Sequence, residues 1–116
     1  MSDALAKGTL IVEKNGQIRF DGHSTDDFRT KVTFGGTYTP TVNVKVTAHN
    51  AEITSAITPL PEIHGAHDFT GSLAPGGIFI SIDNGLSFRA IINMPTLIAI
   101  FVNGDGTGKY GYIRRD

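Results

Sequence analysis

The chain has 116 residues, a length typical of one domain. Hydrophobic residues make up 40% of it, which excludes a disordered chain, and charged residues only 18%, which leaves much neutral surface. The net charge of −1 provides no long-range attraction for a phosphate backbone, so no nucleic-acid partner is expected. The absence of cysteine excludes a disulfide framework and a thiolate metal site.

The N-terminal residues 1–7 include Ser2, Asp3 and Lys7 and lack the apolar core of a secretory signal peptide. We therefore expect synthesis in the cytoplasm. We also expect a flexible N-terminal arm over residues 1–7, followed by a single β-domain over residues 8–116. The longest apolar run, residues 97–102, is far too short to cross a bilayer as a helix, so no membrane span is expected.

Two Asn-Gly pairs predict tight hairpins, because this dipeptide readily adopts the backbone angles of hairpin turns. At Asn15-Gly16, a three-residue loop pairs Leu10 with Phe20, whereas a two-residue loop pairs Leu10 with a carboxylate. The same test at residues 83–85 also selects a three-residue loop, which keeps apolar side chains together on one face. Both hairpins are therefore predicted to contain a bulge with glycine in the left-handed conformation.

A third hairpin is predicted around His49-Asn50, because Val42, Val44 and Val46 alternate with polar residues just before it. Further strand candidates lie at residues 28–34, 69–73, 97–102 and 109–113. The resulting set of about eight to ten short strands predicts an all-β fold. We expect an antiparallel β-sandwich or a flattened barrel, arranged as a jelly roll or as a hairpin meander.

A long proline- and glycine-rich loop is predicted over residues 59–77, which hold three prolines and four glycines. After this segment, the apolar residues exceed what one buried sheet face requires, and several runs do not alternate with polar residues. Either the long loop or a second subunit is expected to cover the other face. The residues assigned to self-association are Ile78, Ile80, Ile91, Ile98 and Ile100.

Three histidines are candidate metal ligands. His64 and His67 lie next to Asp68, and His23 lies in a second polar segment that also holds aspartates. Imidazole and carboxylate groups bind zinc and other divalent ions. The spacing is not specific to any metal, and two exposed loop histidines are the simpler interpretation of His64 and His67.

Residues 103–108 alternate oxygen-bearing side chains with glycine, as in the first half of a calcium loop. Arg114 stands where a complete loop would place glutamate, so calcium is an alternative and a flexible glycine-rich hairpin the simpler interpretation. A carbohydrate site beside this segment would use Asn103, Asp105, Tyr110 and Tyr112. A core or interface position for the tyrosines is the competing interpretation.

The sequence contains no nucleophile elbow and no acid pair typical of glycosidases, so we expect a protein without enzymatic activity and without a required cofactor. We expect a structural protein that self-associates or packs with other structural subunits in a larger particle, such as a virion coat, decoration or tail component. The alternative is a small lectin-like module that binds carbohydrate, with or without calcium.

Overall fold

The computed structural model describes residues 4–112, with only the backbone of Tyr112, and it confirms the prediction of an all-β fold. The eight strands are β1 (Ala6–Val12), β2 (Gln17–Ser24), β3 (Thr30–Thr39), β4 (Val46–Thr54), β5 (Gly65–Ala74), β6 (Gly77–Ile82), β7 (Ser87–Ile91) and β8 (Ile100–Tyr112). A short 3₁₀ helix over Leu60–Ile63 precedes β5.

The strands form a closed antiparallel barrel in the order β1-β2-β3-β8-β5-β6-β7-β4, which is compatible with the predicted barrel. Each half of the chain is a three-stranded meander whose fourth strand returns to lie beside the first, which is a Greek key. β4 pairs with β1 and β7, and β8 pairs with β5 and β3. The two halves therefore have the same connectivity, although their sequences show no clear repeat.

The β1–β2 hairpin has the predicted register, with Leu10 opposite Phe20. Gly16 adopts a φ of 94°, which a residue with a side chain rarely tolerates. The side-chain oxygen of Asn15 accepts a hydrogen bond from the Gln17 backbone N–H at 3.0 Å. The Asn-Gly pair thus supplies both the backbone angle and the hydrogen bond that this turn requires.

The β6–β7 hairpin repeats this arrangement and confirms the second predicted register, with Ile80 opposite Phe88. Gly85 adopts a φ of 99°, and the Asn84 side-chain oxygen accepts a hydrogen bond from the Leu86 N–H at 3.1 Å. The turn between β6 and β7 therefore fixes their register, and with it which side chains face the core.

The predicted hairpin at His49-Asn50 is wrong, because β4 runs through these residues as one strand. Ala48 and Ala51 pair with the residues on either side of Thr9, so His49 and Asn50 together lie opposite Thr9. This arrangement is a β-bulge, in which two residues of one strand oppose one residue of its partner. A bulge and a two-residue turn both interrupt the alternation of apolar residues once, which explains the error.

The predicted loop over residues 59–77 is also wrong over most of its length. A 3₁₀ helix and β5 occupy Leu60–Ile63 and Gly65–Ala74, and a tight turn leads from β5 to β6. The many small residues of β5 gave only a weak strand pattern in the sequence. Packing against the neighbouring strand explains why one of them, Gly71, is glycine. A Cβ atom at Gly71 would lie 2.5 Å from the Phe79 carbonyl oxygen.

The boundary of the predicted N-terminal arm also changes. The backbone N–H of Leu5 donates a hydrogen bond to the Ile53 carbonyl at 2.8 Å, and β1 begins at Ala6. Residues 4–7 are therefore part of the folded barrel. Residues 1–3 of the predicted arm and residues 113–116 of the predicted domain lie outside the described residues.

Inward-facing apolar side chains fill the barrel, as expected for eight strands. Four phenylalanines form a connected group at its centre. Ring centroids lie 5.2 Å apart for Phe20 and Phe88, 5.4 Å for Phe34 and Phe88, and 5.9 Å for Phe34 and Phe69. These tilted and edge-to-face contacts are favourable arrangements for aromatic rings.

The predicted flexible hairpin over residues 103–108 is instead the middle of β8. Its glycines make room for the aromatic group. A Cβ atom at Gly104 would lie 2.8 Å from the Phe69 ring, and one at Gly106 would lie 2.7 Å from the Phe34 ring. The glycine-rich pattern is therefore a packing device rather than a mobile loop.

The two junctions between the Greek keys differ in extent. β3 and β8 share ten residue pairs, whereas β4 and β7 share three. Beyond those three pairs, the segment 92–99 is attached through Asn43, whose side chain donates to the Thr96 carbonyl at 2.8 Å and accepts from the Ile98 N–H at 2.9 Å. Leu97 is buried, so this segment contributes to the core although it is not a strand.

Candidate functional site

The three histidines predicted as metal ligands are not brought together. His23 lies in β2, His64 precedes β5, and His67 lies in β5, with β3 and β8 between β2 and β5. Within residues 4–112, no group of three or more histidine, aspartate or glutamate side chains is placed to hold a metal ion. The same finding covers Asp105, the carboxylate of the predicted calcium segment.

His67 contacts a carboxylate instead of a metal. Its Nδ1 lies 3.0 Å from Asp83 Oδ1, and Asp83 Oδ2 accepts a hydrogen bond from the Asp68 backbone N–H at 3.0 Å. The hydrogen bond from Asp68 is the main cause that lowers the pKa of Asp83, and the contact with His67 lowers it further. Asp83 therefore attaches the β6–β7 turn to β5.

Asp83→Asn is expected to lower the melting temperature at neutral pH. The lowered pKa of Asp83 means that its carboxylate stabilises the fold above the ordinary pKa of 3.8, and that this contribution is lost as pH falls below it. The difference in melting temperature between wild type and variant should therefore shrink as pH decreases from about 5 to about 3. Thermal unfolding followed by circular dichroism measures it, and a difference that stays constant over this range would contradict the assigned role.

The predicted carbohydrate site is not assembled as one surface. Asn103 and Asp105 lie on the outer face of β8, whereas Tyr110 is partly buried against the core. The side chain of Tyr112 lies outside the described residues. Asp105 instead lies directly opposite Asp68 of β5, which brings two carboxylates together.

The residues predicted for self-association divide into two groups. Ile78 and Ile80 are 2% and 1% exposed, so their assignment to a contact surface is corrected, because both belong to the core. Ile91 and Ile98 are 80% and 67% exposed, and Ile100 is half-buried. Strand alternation explains the inward Ile78 and Ile80 and the outward Ile91, because residues on a barrel strand point alternately inward and outward. Ile98 lies in segment 92–99, which is not a strand.

Two exposed phenylalanines, which were not assigned a role from the sequence, lie on the same outer face as Ile91. Phe101 is 84% exposed, and Phe79 is 49% exposed. Cross-strand pairing places Phe101, Ser72 and Phe79 side by side on β8, β5 and β6, and Ile91 follows on the same outer face of β7. We call Phe79, Ile91 and Phe101 the apolar wall.

A shallow groove of about 430 Å³ runs between the two rings of the apolar wall, above the small side chain of Ser72. The side chains that line it are uncharged, and they include Thr70, Ser72, Ser81, Val102 and Asn103. The cation next to it in the ladder is Arg89, which lies opposite Phe79 and also opposite Glu52. The groove can therefore lose its water without burying a charge.

Comparison of the chain with known protein families, with curated proteins and with solved structures found no match. Within residues 4–112, no helix combines the length and apolar character that crossing a membrane requires. The geometry of the outer surface is therefore the basis for assigning a function. Exposed aromatic side chains grouped on one outer face of a sheet are typical of sites that bind another protein.

Proposed function

We propose that this protein is a non-enzymatic structural subunit that self-associates through the apolar wall. The observation that supports this proposal is the exposure of Phe101 and Ile91, at 84% and 80%, beside the half-exposed Phe79. Water contact at such a group is unfavourable, and burial stabilises by about 25 cal/mol per Å² of apolar surface. Isolated apolar residues are common on surfaces, but a group of three on one outer face is not.

A second copy of the chain is the partner that this surface fits. In a two-fold interface, each patch faces itself, so like charges at its centre would repel. The groove between Phe79 and Phe101 is lined by uncharged side chains, so a contact centred on the groove brings no like charges together. Arg89, opposite Phe79, lies at the edge of such a contact. The wall also contains a projecting ring, Phe101, beside a groove whose two rings stand on strands about 10 Å apart. The Phe101 ring of each copy can therefore enter the groove of the other.

The apolar wall alone accounts for a dimer, because a two-fold contact uses it once on each subunit. A larger particle, such as a virion coat, decoration or tail component, requires a second contact surface. The proposed setting is such a larger particle, in which a self-associating barrel of low charge would act as one of the subunits. Sedimentation velocity separates the two cases, because a dimer reaches a limiting mass whereas a growing assembly does not.

Sedimentation velocity over about 5 to 500 µM is expected to show concentration-dependent association of the wild type. A contact this small should be weak, with a Kd on the order of 100 µM, which lies within this range. The double variant Phe79→Ser, Phe101→Ser should remain monomeric throughout, because both aromatic groups of the contact are removed. Its melting temperature at low concentration should be close to that of the wild type, because both side chains point away from the core.

Phe28→Ser is the matched control, since Phe28 is 75% exposed but lies in the β2–β3 loop, away from the apolar wall. This variant should associate like the wild type. A wild type that stays monomeric at every concentration would overturn the proposal. So would a Phe28 variant that loses association as completely as the double variant, because the contact would then not be specific to the wall.

A further inference from the structure

No close contact requires glycine at position 35. It lies in the interior of β3 and faces outward, its φ is not positive, and a Cβ atom there would meet nothing within 4 Å. Its neighbour Gly36 differs, because a Cβ atom there would lie 2.1 Å from the Asp105 carbonyl oxygen. A strand-interior glycine weakens a strand and often marks a bulge, a bend at a barrel corner, or a place where a ligand or another backbone approaches closely. The pairing of β3 with β2 and β8 continues through Gly35 without a register shift, so Gly35 does not mark a bulge.

Gly35 lies in the floor of an open hollow of about 690 Å³ on the outer face of β1, β2, β3 and β8. Arg19 pairs with Gly35 from β2, and Lys109 pairs with Thr33 from β8. From the usual spacing of strands and residues, the Cα atoms of Arg19 and Lys109 lie about 12 Å apart. Two long side chains at that separation can reach one group bound above Gly35.

The charges of the hollow favour an anion. Asp21 is its acidic residue, and Asp21 Oδ1 lies 3.7 Å from the Lys31 ammonium group. Among the side chains of residues 4–111, no carboxylate lies within 4.0 Å of Arg19 or Lys109. These two cations therefore face the hollow while the acid beside them is already paired with another lysine.

The remaining lining adds hydroxyl groups. Thr9, Thr33 and Thr107 border the hollow, and each hydroxyl can both donate and accept a hydrogen bond. Such groups match the hydroxyls of a polyhydroxylated ligand, whereas Arg19 can contact two oxygens of a carboxylate or phosphate at once. Ile11 provides an apolar contact in the same hollow.

We propose that the hollow above Gly35 binds a polyhydroxylated ligand that carries an oxyanion, namely an acidic saccharide or a sugar phosphate. Arg19 contacts the oxyanion through two hydrogen bonds, Lys109 adds a point charge, and the threonines contact ligand hydroxyls. The hollow is centred on β2 and β3, whereas the apolar wall lies on β8, β6 and β7. Ligand binding is thus independent of self-association.

Titration of the ¹⁵N-labelled protein by NMR tests this site with three probes: trigalacturonic acid, glucose 6-phosphate and uncharged maltotriose. At least one of the two charged probes is expected to shift the Gly35 amide signal, and the stronger of them identifies the source of the oxyanion. Maltotriose should bind at least about tenfold more weakly, because it has no group for Arg19 and Lys109. Equal binding of maltotriose, or no binding of either charged probe, overturns the proposal.

Two variants locate the binding. Gly35→Thr places a side chain in the floor of the hollow and Arg19→Gln removes its bidentate cation, and each should weaken binding about tenfold or more. Gly35→Thr should fold with an unchanged or higher melting temperature, because threonine favours strands, so a loss of binding cannot reflect unfolding. Arg89→Gln, which removes an arginine on β7, is the control and should bind like the wild type. Unchanged binding by Gly35→Thr and Arg19→Gln would also overturn the proposal.

Discussion

Replacing Gly104 with valine is expected to prevent folding or to lower the free energy of unfolding by more than about 4 kcal/mol. A Cβ atom at this position would lie 2.0 Å from the Thr37 carbonyl oxygen and 2.8 Å from the Phe69 ring. Neither neighbour can withdraw easily, because one is the backbone of the adjacent strand and the other is part of the packed aromatic group. Urea unfolding followed by circular dichroism measures the loss.

Gly35→Val is the matched control for this substitution. Gly35 also lies inside a barrel strand, but the space around its Cβ position is open. Valine there should leave the free energy of unfolding unchanged or raise it slightly, because β-branched residues favour strands. A Gly104→Val protein whose urea midpoint matches that of the wild type would contradict the packing role of the β8 glycines.

Replacing Phe88 with alanine is expected to lower the free energy of unfolding by about 3 to 5 kcal/mol. Phe88 is 1% exposed, and its ring contacts those of both Phe20 and Phe34. Its removal leaves a cavity between the two halves of the barrel. The surrounding strands cannot easily move in to fill this cavity, because they are paired in a closed barrel. Urea unfolding at low protein concentration, where the chain is monomeric, gives the value.

Phe101→Ala is the control, because this side chain is 84% exposed and lies outside the barrel. Its effect on the monomer should be within about 0.5 kcal/mol, the usual range for surface substitutions. A loss of less than about 1 kcal/mol in Phe88→Ala would show that the aromatic group does not hold the two halves of the barrel together.

The local structure of the hairpins could be predicted from the sequence because the signals for them are local. Asn15-Gly16 and the pair at 84–85 select the turn, and the alternation of apolar residues then selects one register. The barrel itself depends on contacts between distant residues. The pairing of β3 with β8 joins residues more than sixty positions apart, and no pattern within either strand specifies that partner.

The glycines of β8 show why the rest could not be predicted. Gly104 and Gly106 are required by the rings of Phe69 and Phe34, which come from other strands. Without knowledge of those neighbours, a glycine-rich segment is interpreted as a flexible loop. The bulge at His49-Asn50 is a similar case, because only its pairing with β1 distinguishes it from a turn.

The candidate site could be predicted in part, namely where a hairpin register shows which way a side chain points. The register of the β6–β7 hairpin places Phe79 opposite Arg89, which already indicates an outward orientation. The orientation of Phe101 could not be assigned, because residues 97–102 are apolar throughout and show no alternation. The inward position of Val102, at 3% exposed, is what identifies Phe101 as an outer residue.

The short junction between β4 and β7 has a consequence for aggregation. In the closed barrel, every described strand has a neighbour on both sides, so no edge is available for another chain to extend the sheet. Opening at the three pairs of this junction would create two such edges and would permit strand exchange between copies. Beyond the junction, the two hydrogen bonds of Asn43 hold segment 92–99 against the chain that leads into β4, where the β4–β7 ladder has ended.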